Sequence, residues 1–211
     1  MSAAGRFLTF EGIEGVGKTT QVARLAQTLS ARGIAHAVTR EPGGTPLAER
    51  IRDLVLGARA ERLPDTAELL LMFAARSVHL HNFIEPKLAS GRWVICDRFT
   101  DATYAYQGAG RGLGAPSVAA LEALVQGARR PDLTLLLDLP VRAGLARAQS
   151  RNTAADRFET ERVDFFERVR AAYLERAAAD PERIAVIDAA AGVDEVAAQI
   201  LSTLRARSWI T

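Results

Sequence analysis

The chain has 211 residues, 48% of them hydrophobic and 25% charged, which excludes an intrinsically disordered segment and supplies the core of one domain. Twenty-seven basic residues against twenty-five acidic ones leave a net charge of +2, too small an excess to neutralise the phosphates of duplex DNA, so no nucleic acid partner is expected. The single cysteine, Cys96, excludes an internal disulfide, and neither a signal-like opening nor an apolar run near the ~18 residues of a membrane span is present, so a soluble cytoplasmic protein is expected.

In chain order, Arg6–Phe10 reads as a first strand. Gly12-Ile13-Glu14-Gly15-Val16-Gly17-Lys18-Thr19 follows and fits G-x-x-x-x-G-K-[ST] at every position. A helix comes next, with Val22, Leu25, Ala26 and Leu29 at i, i+3, i+4, i+7 spacing. Ala35–Thr39 is a second strand, closed by a turn at Arg40-Glu41-Pro42-Gly43-Gly44-Thr45. Leu69 to Leu88 is a long, apolar helix, and Trp93–Cys96 a third strand ending in Asp97-Arg98. Asp101–Gly112 gathers hydroxyl, amide and aromatic groups, suited to a planar polar ligand or to a capped helix with core tyrosines.

Leu133–Leu139 is a fourth strand. Arginines then recur at 142, 147, 151 and 157, and Ser150–Asp156 breaks helical periodicity as a flap would. Val163–Leu174 is a helix with Phe166, Val169 and Tyr173 on one side, Ile184–Ile187 a fifth strand, and Val193–Leu204 a closing amphipathic helix. Strands apolar on successive residues and alternating with helices predict an α/β fold, a three-layer α/β/α sandwich about a five-stranded parallel sheet. The phosphate-loop motif makes it P-loop NTPase type, a single domain over 1–211 with a mobile arginine-bearing lid at about 142–159.

The chemistry of the motif explains its residue types. Glycines let the backbone turn several N–H groups toward phosphate oxygens, and the helix that follows adds its N-terminal dipole. The stretch Gly12 to Thr20 is therefore expected to bind ATP, with Lys18 on the β- and γ-phosphates and the Thr19 hydroxyl on Mg²⁺. Asn82 and Asn152 are followed by Phe83 and Thr153, so the Asn-Lys-x-Asp that reads guanine is missing and a GTPase is disfavoured. Asp97, closing an apolar strand, is placed to face the metal while Arg98 turns toward a second anion.

At this point the chain resembles the thymidylate kinase family, bacterial type, from Phe7 to about Leu204. The residues that carry the likeness are Phe10 to Thr20, Thr39-Arg40-Glu41-Pro42-Gly43-Gly44-Thr45, Asp97-Arg98 with Ala105-Tyr106-Gln107-Gly108, and Arg130-Pro131-Asp132-Leu133-Thr134. The resemblance implies transfer of the ATP γ-phosphoryl group to dTMP with Mg²⁺, in a homodimer. It implies that Glu14 holds the sugar 3′-hydroxyl and that Arg98, with Arg40 near it, grips the dTMP phosphate. Asp97 and Glu41 fall at the metal and phosphate surroundings. Arg76 meets thymine with Phe73 stacking on the ring, Thr103 and Gln107 reach the base edge, and Tyr106 stands against the 2′ position.

Two departures follow from the same likeness. Where some relatives carry an arginine in the phosphate loop this chain has Gly15, which passes the catalytic charge to lid arginines, Arg147, Arg151 or Arg157. In relatives the stacking ring lies four residues before the arginine; here that position is Met72, and Phe73 lies three before. The remaining readings are a kinase of another monophosphate, dUMP or UMP, and an ATP-driven binding switch.

Overall fold

In the computed structural model five strands, β1 (Phe7–Glu11), β2 (His36–Arg40), β3 (Trp93–Asp97), β4 (Leu133–Asp138) and β5 (Ile184–Asp188), pair in parallel in the order β2-β3-β1-β4-β5. The structure describes residues 5–57, 61–149 and 163–211. The helices are α1 (Lys18–Ala31), α2 (Pro46–Leu56), α3 (Asp65–His79), α4 (Glu85–Ala89), α5 (Thr100–Thr103), α6 (Ala115–Gln126), α7 (Val141–Gln149), α8 (Val163–Ala179) and α9 (Val193–Ala206).

Alternate residues of β1 serve opposite faces of the sheet, as strand pleating requires. Leu8 and Phe10 join Val22, Leu25 and Leu29 of α1 and Val196, Ile200 and Leu204 of α9 in the main core. Phe7, on the other face, packs with Leu80, Ile84, Leu88, Val94, Cys96 and Phe99. Both faces are thus covered, which is why the strands read as continuous apolar runs. Among the described residues no helix is long and apolar enough to cross a membrane.

The helix expected over Leu69 to Leu88 is not continuous. It begins at Asp65, widens into a π-helical turn at Leu80–Ile84 and resumes as α4. Pro86 is the cause: it has no N–H for the carbonyl four residues back, and the wider turn before it absorbs the mismatch. The polar segment after Arg98 is also helical, α5 running into a second π-helical turn at Tyr104–Gly110 with Tyr106 and Gln107 buried. Helical order and a lining of ligand-grade groups therefore coexist there. Of the expected lid at about 142–159, α7 covers the start, and Arg151 and Arg157 lie outside the described residues.

Candidate active site

β1 and β3 are neighbours, with Phe10 in register with Asp97, so the loops that leave their carboxyl ends open into one crevice. Gly12, Gly15 and Gly17 take φ values of 127°, 76° and 92°, the left-handed range that side chains resist. Gly15 is required for a second reason. A Cβ there would lie 1.9 Å from the Gly144 carbonyl oxygen of α7, so no side chain fits and the loop presses directly on α7. An arginine has no room at this position.

A polar cavity of about 220 Å³ is lined by Glu14, Gly15, Gly17, Lys18, Thr19, Arg40, Glu41, Arg52, Asp97 and Arg98. Lys18 Nζ donates to the carbonyls of Gly12 and Ile13 at 3.0 and 2.9 Å. Burial, and after it the Arg98 charge, lowers the Lys18 ammonium to about 8. The Ile13 and Val16 side chains point into the core, and Thr20 is exposed on α1 and lines neither cavity. Arg40 lies at the rim, paired with Glu49 at 2.8 Å. The Thr19 hydroxyl and Asp97 carboxylate share this cavity, and hard oxygen donors of that kind fit Mg²⁺.

A second, narrower cavity adjoins the first and is lined by Glu14, Glu41, Pro42, Arg52, Leu56, Met72, Arg98, Ala102, Tyr106 and Gln107. Glu14, Glu41, Arg52 and Arg98 belong to both. The Asp97-Arg98 corner therefore faces the lysine cavity. Arg98 donates from Nη2 to Glu14 Oε1 at 2.8 Å and from Nη1 to the Gly12 carbonyl at 3.0 Å, and lies 4.7 Å from the Tyr106 ring centroid. Tyr106 donates its hydroxyl to Glu14 Oε2 at 2.7 Å, and burial, against the pull of Arg98 and with the help of Glu14, raises that phenol well above its ordinary value.

Several expected roles are redistributed. Glu41 does not present a free carboxylate to a metal: Oε2 accepts Arg76 Nε at 2.7 Å and Oε1 accepts His79 Nδ1 at 2.9 Å. Thr103 is fully buried and gives its hydroxyl oxygen to Arg76 Nη2 at 3.0 Å rather than lining the second cavity. Phe73 packs with Leu69 and Val118, its centroid 4.8 Å from the Arg76 guanidinium carbon, and Met72 takes the cavity wall instead. Arg147 donates to the Ala189 carbonyl at 2.9 Å, at the end of β5, and lines neither cavity. Arg52 and Leu56 were not singled out by the sequence; on α2 they carry no motif, and only packing brings them beside Pro42 of the preceding turn.

Among the described residues two buried polar atoms beside the second cavity have no partner: Gln107 Oε1, on a residue that lines it, and Arg76 Nη1, on a guanidinium held just behind the lining residue Glu41. Gln107 Nε2 donates to Glu68 Oε1 at 2.8 Å, and a carboxylate accepts only, so the amide oxygen is turned the other way.

A triphosphate cradle and an apolar-sided pocket with polar groups at its end, meeting at one wall of charged side chains, form the layout of a P-loop kinase that phosphorylates a nucleotide. The comparisons narrow the class. A family model described as thymidylate kinase matches residues 10–200. The thymidylate kinase of Chromohalobacter salexigens is 59% identical over 208 residues, 97% of this chain and 98% of that one. That of Teredinibacter turnerae is 54% identical over 202 residues, 96% and 98%. The crystal structure of thymidylate kinase from Ehrlichia chaffeensis superposes with a TM-score of 0.77 at 33% identity, covering 95% of this chain and 99% of that chain. The chain belongs to the thymidylate kinase family.

Proposed function

We propose that this kinase transfers the γ-phosphoryl group of ATP to dTMP, giving dTDP and ADP for dTTP synthesis. The observation that carries the choice of acceptor is the unpaired couple beside the second cavity, a buried acceptor on its lining residue Gln107 and a buried donor on Arg76, behind the lining residue Glu41. Buried polar atoms are satisfied in folded proteins, so such a couple implies a ligand with the reverse pattern. Thymine offers it, O4 accepting and N3–H donating; cytosine presents a donor and an acceptor the other way round. Pro42, Leu56, Met72 and Ala102 supply an apolar wall for the ring and its methyl group.

The chain's own groups then divide the work. The loop from Gly12 to Thr20 and Lys18 hold the donor triphosphate. Thr19 and Asp97 would hold Mg²⁺, which would supply positive charge against the donor triphosphate. Arg98, assisted by Arg40, holds the acceptor phosphate in line, which requires Arg98 to leave Glu14. Glu14, thus released, takes the 3′-hydroxyl and Tyr106 crowds the 2′ position. Lid arginines among Arg147, Arg151 and Arg157 offset charge on the moving group, and closure expels water. Glu41 and Thr103 act by holding Arg76. The acceptor phosphate is already ionised near neutral pH, so no strong general base is needed. The protein works in the cytoplasm as a homodimer; exposed Leu47 and Leu54 on α2 and Leu70 on the adjoining α3 support a paired face.

A coupled assay of ADP release over dTMP, dUMP, UMP and dCMP tests this reading. The highest kcat/KM is expected for dTMP and the lowest for dCMP. Lys18→Ala and Arg98→Ala each lower dTMP turnover by about 10²–10³ with the fold intact. A preference for dCMP, or near-normal turnover in either variant, overturns the assignment.

A further inference from the structure

Arg98 stands at φ 71°, a backbone conformation that non-glycine residues hold only where neighbours impose it. Its own N–H donates to the Phe10 carbonyl at 2.9 Å, and the next N–H, that of Phe99, donates to Glu11 Oε1 at 2.7 Å. The carbonyl between them accepts the Cys96 thiol at 3.0 Å. The other oxygen of Glu11, Oε2, accepts the Tyr173 hydroxyl at 2.7 Å, and that hydroxyl oxygen in turn accepts Arg98 Nη1 at 3.3 Å. A carboxylate cannot donate, so the single hydroxyl hydrogen of Tyr173 must point to Glu11 and its lone pairs are left for the guanidinium. Glu11 and Tyr173 are buried, and neither lines either cavity.

We infer that Glu11, with Tyr173 as its relay, is a positioning residue that sets the aim of Arg98 toward the acceptor phosphate. It holds the arginine at both ends, the peptide through Phe99 and the guanidinium through Tyr173. This deepens the proposed function and rests on its assignment of Arg98.

The same geometry makes the grip sensitive to pH. Facing Glu11 are Asp101 on α5, Arg98 after β3, Cys96 on β3, Tyr173 on α8 and Lys18 on α1. Burial, and after it the Asp101 charge, raises the Glu11 carboxyl to about 7, against the pull of Arg98, Tyr173 and the Phe99 N–H. Asp101 stays ionised: despite burial, Arg183 and Arg176 hold it below the usual carboxylate range. Once Glu11 takes a proton, its new O–H needs an acceptor. The Tyr173 oxygen is the one at hand, and the tyrosine hydrogen then faces Arg98, donor against donor. The hold on Arg98 therefore loosens as pH falls through about 7.

Steady-state kinetics on the full chain, with ATP and dTMP varied separately, test the inference in two near-isosteric variants. Tyr173→Phe removes the relay and keeps the Glu11 charge; it is expected to lower kcat/KM for dTMP about tenfold while KM for ATP moves less than twofold. Glu11→Gln is expected to do the same and to remove the step near pH 7 from the kcat/KM profile. At saturating ATP, which raises Lys18 out of this range, only the titration of the dTMP phosphate itself, at about 6, then remains. A carboxyl whose folded pKa is raised costs stability above that pKa, so Glu11→Gln melts no lower than the parent at pH 8. Unchanged dTMP kinetics, equal losses toward ATP and dTMP, or a pH step that survives Glu11→Gln would overturn it. Failure of the proposed function shows in the parent's own dTMP turnover; failure of this inference shows only in the ratio of parent to variant.

Discussion

Replacing Arg76 with Met separates what that side chain does for the fold from what it does for the substrate. Arg76 and Glu41 are 1% and 3% exposed and 2.7 Å apart. Removing one member of so buried a pair strands the other, at a cost of about 3–5 kcal/mol. His79 still donates to Glu41 Oε1, which places the loss near the lower bound, about 3 kcal/mol. For a domain of this size that is a fall in Tm of roughly 6–12 °C. On the proposed function, catalysis loses the charged donor Nη1, whose hydrogen bond to the base would be worth about 1.5–3 kcal/mol, or about 10- to 150-fold in kcat/KM for dTMP. The double variant Arg76→Met with Glu41→Leu removes the stranded carboxylate, so Tm recovers while kcat/KM does not. Thermal melts and the ADP-release assay on both variants check this. A single variant within 2 °C of the parent (roughly 1 kcal/mol or less), or a double variant recovering both quantities, refutes the division of roles.

Further expectations follow from the phosphate loop. Because burial and Arg98 hold Lys18 at about 8 in the free protein, and a bound triphosphate raises it again, ATP binding takes up a proton between about pH 8 and the ordinary lysine value near 10.4. Calorimetry at pH 9 in buffers of different ionisation enthalpy measures that uptake, and Lys18→Met abolishes it. Gly15→Ala combines a left-handed φ with a Cβ 1.9 Å from the Gly144 oxygen, whereas a Cβ at Gly144 would lie 2.7 Å from the Glu14 oxygen. ATP affinity should therefore suffer more in Gly15→Ala than in Gly144→Ala, and equal or reversed losses in a binding titration contradict the close approach.

Much of the architecture is local and therefore legible. A strand buried on both faces must be apolar at consecutive positions, and a loop that aims N–H groups at phosphate must place glycine where φ is positive. Five strand positions and the phosphate loop could thus be read directly, and Asp97-Arg98 followed from lying at a strand end beside that loop. The long helix departs from its apolar pattern at its start, Asp65, and where Pro86 demands a wider turn.

What contiguous residues do not encode is which of two buried neighbours faces a cavity, or which distant charge claims a carboxylate. α3 buries Leu69, Met72, Phe73, Ala75, Arg76 and His79, so periodicity cannot tell Met72 from Phe73; the packing of α6, through Val118, draws Phe73 away. Glu41 meets Arg76 and His79, 35 and 38 residues on, and Glu11 meets Tyr173 across 162 residues of chain. Spacing announces none of these pairings. Amino-acid type determined that this chain binds a polyphosphate; the close packing of α3, α5 and α8 around the strand ends decided how its arginines are held. Charges buried together must satisfy one another, and only the folded chain brings them within reach.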